Sequence, residues 1–169
     1  MKRRIGIIST NSHFIPFGGA AQFIKGLYQQ YLKDDWVVDL ILDQPSSQID
    51  FLKSLDLSGS VYCPNNPLPY SQHRNTFSFS DSINFEKEAN IRSALMTALS
   101  SNIYDVILIN SVEGLVPCYT MGLDTFTKVI FYTHVELSIG LTSKKDTPFS
   151  DRFISYYGNM IRNPGDIIF

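Results

Sequence analysis

His134 and Glu136 stand two residues apart at the end of a short apolar run, "KVIFYTHVEL". An imidazole exchanges a proton near neutral pH, and a carboxylate beside it can orient the ring or face positive charge that develops during a reaction. On an extended backbone, positions 134 and 136 share parity, so both side chains can point the same way if the strand continues. The plain alternative is that the pair closes a loop and His134 is a satisfied structural residue. A second constellation is Gly18 and Gly19 in "STNSHFIPFGGAAQF", just before a helix start. Paired glycines let backbone approach a ligand and present helix N-terminal N–H groups to an anion, or they simply serve a turn needing positive φ. The loop from Ser9 is too long for the dinucleotide GxGxxG fingerprint. A third is Asn110 and Ser111 in "INSVEG", polar groups at a strand terminus. Ser111 reads first as the N-cap of the following helix and second as a ligand contact.

These residues need a frame that places them together. "RIGIIS" (Arg4 to Ser9) reads as a buried strand, and "WVVDLILD" (Trp36 to Asp43) as a second. "SVYCP" is a third, weaker strand, "YDVILIN" (Tyr104 to Asn110) a fourth, then "KVIFYT" and finally "DIIF". Helical spacing appears in "AAQFIKGLYQQYLKD", with Ala20, Phe23, Ile24, Leu27 and Tyr31 as its apolar stripe. "SQIDFLKSLD", "NFEKEANIRSALMTALSS", "VEGLVPCYTMG" and "FSDRFISYYGNMIRN" also read as helices. Residues 64 to 82, rich in Pro, Asn and Ser, read as a long loop and the least regular segment. Continuous apolar strands alternating with helices predict an α/β fold: a doubly wound, mostly parallel sheet with helices on both faces. In such a sheet, ligands sit outside the carboxyl ends of the strands, where all three constellations fall.

The chain has 169 residues, 44% of them hydrophobic and 18% charged, enough for one domain with its own core. A net charge of −2 gives no overall nucleic-acid footprint, although it leaves room for a local basic surface. Cys63 and Cys118 are far apart and lack metal-type spacing, which predicts reduced thiols in a cytoplasmic protein and no metal centre. No run approaches membrane-spanning length. The apolar end "GDIIF" predicts that residues 1–169 form one domain of a longer polypeptide.

In order, "FGGAAQF", a strand ending "LINS", a strand ending "FYTH" and a closing "GDIIF" resemble the N-terminal domain of GT-B glycosyltransferases. Within them, the α-glucosyltransferases that T-even phages use on hydroxymethylcytosine are the nearest likeness. The resemblance implies a Rossmann-like, acceptor-side half, with a C-terminal domain to bind the nucleotide. It implies sugar transfer from a nucleotide sugar, UDP-glucose or similar, with no cofactor or metal in this domain. Gly18, Gly19, Asn110 and Ser111 would face the donor or substrate, and His134 the sugar or acceptor. Those phage enzymes read His-Asp-His at the strand end where this chain reads His134-Val135-Glu136. Val135 removes the carboxylate there, and Glu136 could replace it only through a shifted backbone.

The acceptor implied by that likeness is hydroxymethylated phage DNA in the host cytoplasm. The loop carrying His73, Arg74 and Phe77, together with Lys144, Lys145 and Arg152, would border its groove. A polysaccharide, lipid or protein acceptor is the first alternative, and the acidic balance leans that way. A non-catalytic nucleotide- or flavin-binding α/β module is the second. A receiver-like module is disfavoured because "ISTNSHF" has no acidic residue after the first strand.

Overall fold

The computed structural model describes residues 2–10, 19–45, 54–69, 85–132 and 167–168. Four unbroken apolar runs form strands: β1 (Arg3–Ser9), β2 (Trp36–Leu42), β4 (Val106–Ile109) and β5 (Lys128–Tyr132). Two short strands, β3 (Val61–Tyr62) and β6 (Ile167–Ile168), lie at the margins. The six strands are all parallel, in the order β3-β2-β1-β4-β5-β6. Sequential neighbours run outward from β1 in one direction and from β4 in the other, so the winding reverses between those two strands.

Strand alternation divides the core into two layers, one on each sheet face. Ile5 and Ile7 of β1 pack with Val38, Leu40, Leu42 and Leu108 under helix α1 (Gly19–Leu27), through Ile24 and Tyr28. Ile8, Ile107, Ile109, Val129 and Phe131 occupy the opposite face. They meet helix α2 (Phe85–Ser101) and the short helix α3 (Leu115–Thr120). Helices on both faces explain why the strands are apolar without alternation.

The α1 stripe differs from the sequence expectation at its end. The last turn, Tyr28–Leu32, is a π turn, and its buried residues are Tyr28 and Leu32, whereas Tyr31 is 71% exposed. A π turn is wider than an α turn, so positions four apart stay in line and Tyr31 rotates outward. In α2, by contrast, Ile91, Ala94, Leu95 and Ala98 are fully buried at regular helical spacing. Asn90 of α2 accepts from the Leu68 N–H (2.8 Å) and donates to the Leu68 carbonyl (3.0 Å). This pins residues 64–69, which form no helix or strand; residues 70–82 of the loop lie outside the described residues. The helix expected over "FSDRFISYYGNMIRN" lies outside them too, as does most of "SQIDFLKSLD".

One charge sits in the middle of the sheet. Asp39 of β2 is fully buried and accepts hydrogen bonds from Arg4 (2.6 Å), the Tyr104 hydroxyl (2.8 Å) and the Ser60 N–H (2.7 Å). Burial opposes the Arg4 charge, but the hydrogen bond and charge of Asp39 outweigh it and raise its pKa. Burial, and then Asp39, also raise the Tyr104 phenol. At Gly59 a Cβ would stand 2.1 Å from Asp39 Oδ1, so the loop before β3 closes on the carboxylate only with glycine there.

Candidate functional site

A parallel sheet whose winding reverses between two strands opens a crevice at their carboxyl ends, because the loops leave toward opposite faces. Here β1 leads to α1 on one face and β4 to α3 on the other. Four consecutive-pair polar residues end these strands: Ser9 and Thr10 on β1, Asn110 and Ser111 on β4. All four are buried.

Parity sets where each belongs. Ser9 continues the Ile5–Ile7 side of β1, and Asn110 the Leu108 side of β4, so both lie on the α1 face. There Asn110 Nδ2 donates to Ser9 Oγ at 3.1 Å. The Asn110 N–H donates to the Ile8 carbonyl at 2.8 Å, extending the ladder one step past β4. Thr10 and Ser111 have the opposite parity and belong to the α2–α3 side.

Ser111 corrects its first reading. It occupies the N-cap position of a 3-10 turn, Val112–Gly114, with extended backbone (φ −145°, ψ 142°), yet its side chain makes no capping hydrogen bond. The turn is closed by backbone alone, the Gly114 N–H donating to the Ser111 carbonyl at 3.0 Å. Ser111 Oγ is buried without a hydrogen-bond partner among the described residues. The turn that follows is tightly seated. A Cβ on Gly114 would lie 2.8 Å from Ile8 Cγ2 and 2.9 Å from Ile109 Cγ2, so the chain rests directly on the ends of β1 and β4.

Helix α1 is tied to the same edge. Phe23 stacks on Tyr132, the last residue of β5, with ring centroids 4.1 Å apart and planes within 6°. The first turns of α1, opened by Gly19, are thereby held beside the carboxyl end of β5. Gly18, His134 and Glu136 lie outside the described residues, as do His73, Arg74, Lys144, Lys145 and Arg152. Of the expected site residues, the structure brings Asn110 and Ser111 together at the β1–β4 edge and places Gly19 at the start of α1.

Sequence reasoning passed over Ser9, Thr10 and Asp43. Strand register pairs Ser9 with Leu42, so Thr10 is level with Asp43, which is fully buried at the end of β2. The available signal was the same one that singled out Asn110: a polar residue directly after an apolar strand. Burial, and then the Asp43 carboxylate, raise the pKa of the Cys63 thiol, whose Sγ donates to the Gln44 carbonyl at 3.5 Å. Cys118 is buried, and burial, followed by Asp124, raises its thiol strongly. Among the described residues, no group of three or more His, Cys, Asp or Glu is placed to hold a metal ion. No described helix is long and apolar enough to cross a membrane. The edge thus offers buried hydroxyls, an amide and the Asp43 carboxylate, groups that exchange hydrogen bonds with polar ligands.

No family model matches the sequence, and no curated protein does. Solved structures share its architecture. The glycotransferase of kitacinnamycin has 14% identity and a TM-score of 0.52, over 95% of this chain and 41% of that one. Sucrose-phosphate synthase from Thermosynechococcus elongatus has 13% identity and a TM-score of 0.58, over 96% of this chain and 41% of that one. Phytolacca americana UGT2, complexed with UDP-2-fluoro-glucose and pterostilbene, has 21% identity and a TM-score of 0.52, over 79% of this chain and 31% of that one. These neighbours are GT-B glycosyltransferases, and at such identities the likeness is one of fold. The chain has the α/β, Rossmann-like architecture of a GT-B half domain, and it spans well under half the length of each neighbour.

Proposed function

We propose that this chain is the acceptor-side, N-terminal half of a glycosyltransferase that moves a sugar from a nucleotide sugar such as UDP-glucose. The observation that carries the reading is the buried polar cluster at the β1–β4 switch point, on a fold shared with glycosyltransferases. The UDP-sugar bound in the Phytolacca structure supports the donor class. Sugar transfer passes through an oxocarbenium-like state, with positive charge on the sugar and negative charge on the departing phosphate. Gly18 and Gly19 would let backbone N–H groups approach that phosphate or the sugar. Asn110 and Ser111 would hydrogen-bond the substrate, His134 the sugar or acceptor, and Glu136 would face the developing positive charge. The nucleotide would be held by a second domain across the cleft.

For the acceptor, the joint likeness of "LINS", "FYTH" and "DIIF" to the T-even enzymes supports hydroxymethylated bases of phage DNA. Reaching such a base in a duplex requires flipping it into a pocket bordered by positive charge, the role this reading gives His73, Arg74, Lys144 and Lys145. A second reading keeps the transfer and changes the acceptor to a non-nucleic one; the pterostilbene in the Phytolacca structure favours it. Labelled UDP-glucose, offered to the two-domain enzyme with hydroxymethylated DNA, unmodified DNA and a polysaccharide or lipid acceptor, separates the two. Label only in the non-nucleic acceptor removes the DNA reading, and no release of UDP with these or with protein and phenolic acceptors removes the glycosyltransferase. In that enzyme His134→Ala should lower turnover by about 10²–10⁴-fold with little change in melting temperature. Equal losses of activity and stability would return His134 to a structural role.

A further inference from the structure

We infer that Phe23 is a positioning residue of the proposed transfer: by stacking on Tyr132 it sets where the start of α1 stands over the β1–β4 crevice, and so how tightly the nucleotide sugar is held. The inference rests on the glycosyltransferase reading for the ligand; the placement of the helix stands apart from it. Helix α1 follows β1, yet Phe23 meets the end of β5, two places away in the sheet. Neighbouring strands lie about 4.8 Å apart, so the helix start reaches roughly 10 Å sideways, across the end of β4. Its other end is tied the opposite way. The hydroxyl of Tyr28, just past α1, donates to the Asp56 carbonyl at 2.7 Å, in the loop that leads to β3. Between those two ties α1 lies slantwise over the switch point, on the side where Ser9 and Asn110 meet.

Burial alone does not fix that slant. Ala21, Ile24 and Tyr28 turn into the core, while Phe23 and Tyr132 are only partly buried. Apolar burial is non-directional and would let the helix rock. Two rings whose planes agree within 6° at a centroid distance of 4.1 Å form a stack, which fixes orientation as well as distance. A helix start presents N–H groups without partners in the helix, and their reach to a phosphate or sugar depends on where the helix points. Phe23 acts through α1 in this way and not by touching the ligand.

Kinetics of the two-domain enzyme test it, followed as UDP release from UDP-glucose well below the melting temperature of every variant. Phe23→Leu keeps an apolar side chain and removes the stack. It should raise KM for UDP-glucose about 2- to 10-fold, the range such ring pairs are worth, and leave kcat and the acceptor KM within about twofold. Tyr132→Leu should do the same, and the double variant no more than the worse single, since each removes the same contact. Phe23→Tyr, which keeps a ring against Tyr132, should hold the donor KM within about twofold of the parent. An unchanged donor KM in Phe23→Leu overturns the inference. So do additive losses in the double variant, an equal loss in Phe23→Tyr, or a matching rise in the acceptor KM. No UDP release by the parent removes the glycosyltransferase reading, and this inference with it. Release by the parent with an unshifted donor KM in Phe23→Leu removes only the role of Phe23.

Discussion

At the residue scale, Asp39 and Ser111 show two opposite uses of a buried polar group. Asp39 is surrounded by donors, Arg4, Tyr104 and the Ser60 N–H, drawn from β1, the connection before β4 and the loop before β3. It joins segments that are far apart in sequence and lies mid-strand, away from the carboxyl edge. Removing the carboxylate strands the buried Tyr104 hydroxyl and deprives Arg4, whose side chain is partly exposed, of its counter-charge. Asp39→Ala should therefore lower the free energy of unfolding by about 3–5 kcal/mol in a urea titration. Tyr104→Phe, which removes one neutral donor and keeps the ion pair, should cost about 1–3 kcal/mol. A smaller loss for Asp39→Ala than for Tyr104→Phe would show that the carboxylate is not the hub of this network.

At the element scale, two glycines with different surroundings test the seat of the β4–α3 turn. Gly114 has no room for a methyl group between Ile8 and Ile109, whereas Gly26 in α1 has nothing within 4 Å of a Cβ. Gly114→Ala should destabilise by about 1–3 kcal/mol through overpacking. Gly26→Ala should leave stability unchanged or raise it by up to about 1 kcal/mol, since alanine favours helix. Calorimetric melts of both variants check this, and a harmless Gly114→Ala would mean that the turn does not rest on the strand ends. The same turn fixes Ser111 at the switch point, so the element that shapes the crevice also leaves no room for bulk.

For the whole molecule, the strand order places β1 and β4 at the centre and leaves β3 and β6, two residues each, at the edges. Central strands open only when the sheet does, while short edges open locally. Native-state hydrogen exchange should thus find the slowest amides within Ile5–Ile8 of β1 and Val106–Ile109 of β4. Val61 and Tyr62 should exchange faster by orders of magnitude. Protection at β3 equal to that at β1 would contradict the sheet order.

Much of this architecture was legible in the chain because burial on both faces forces continuous apolar strands, and helices between them force parallel pairing. "RRIGIIS", "WVVDLIL", "VILI" and "KVIFY" carry that signal locally, and so does the α2 spacing from Ile91 to Ala98. Asn110 and Ser111 were legible for the same reason, as polar residues where an apolar run stops. The strand order was not, because it depends on which strands meet and local periodicity is silent about that. Only with β1 beside β4 do Ser9 and Asn110, 101 positions apart, share a hydrogen bond. The Arg4–Asp39–Tyr104 set and the Phe23–Tyr132 stack are contacts of the same long-range kind. The exposed Tyr31 and the uncapped Val112–Gly114 turn depart from local rules: a π turn rotated one side chain outward, and a backbone hydrogen bond closed the turn without the Ser111 side chain.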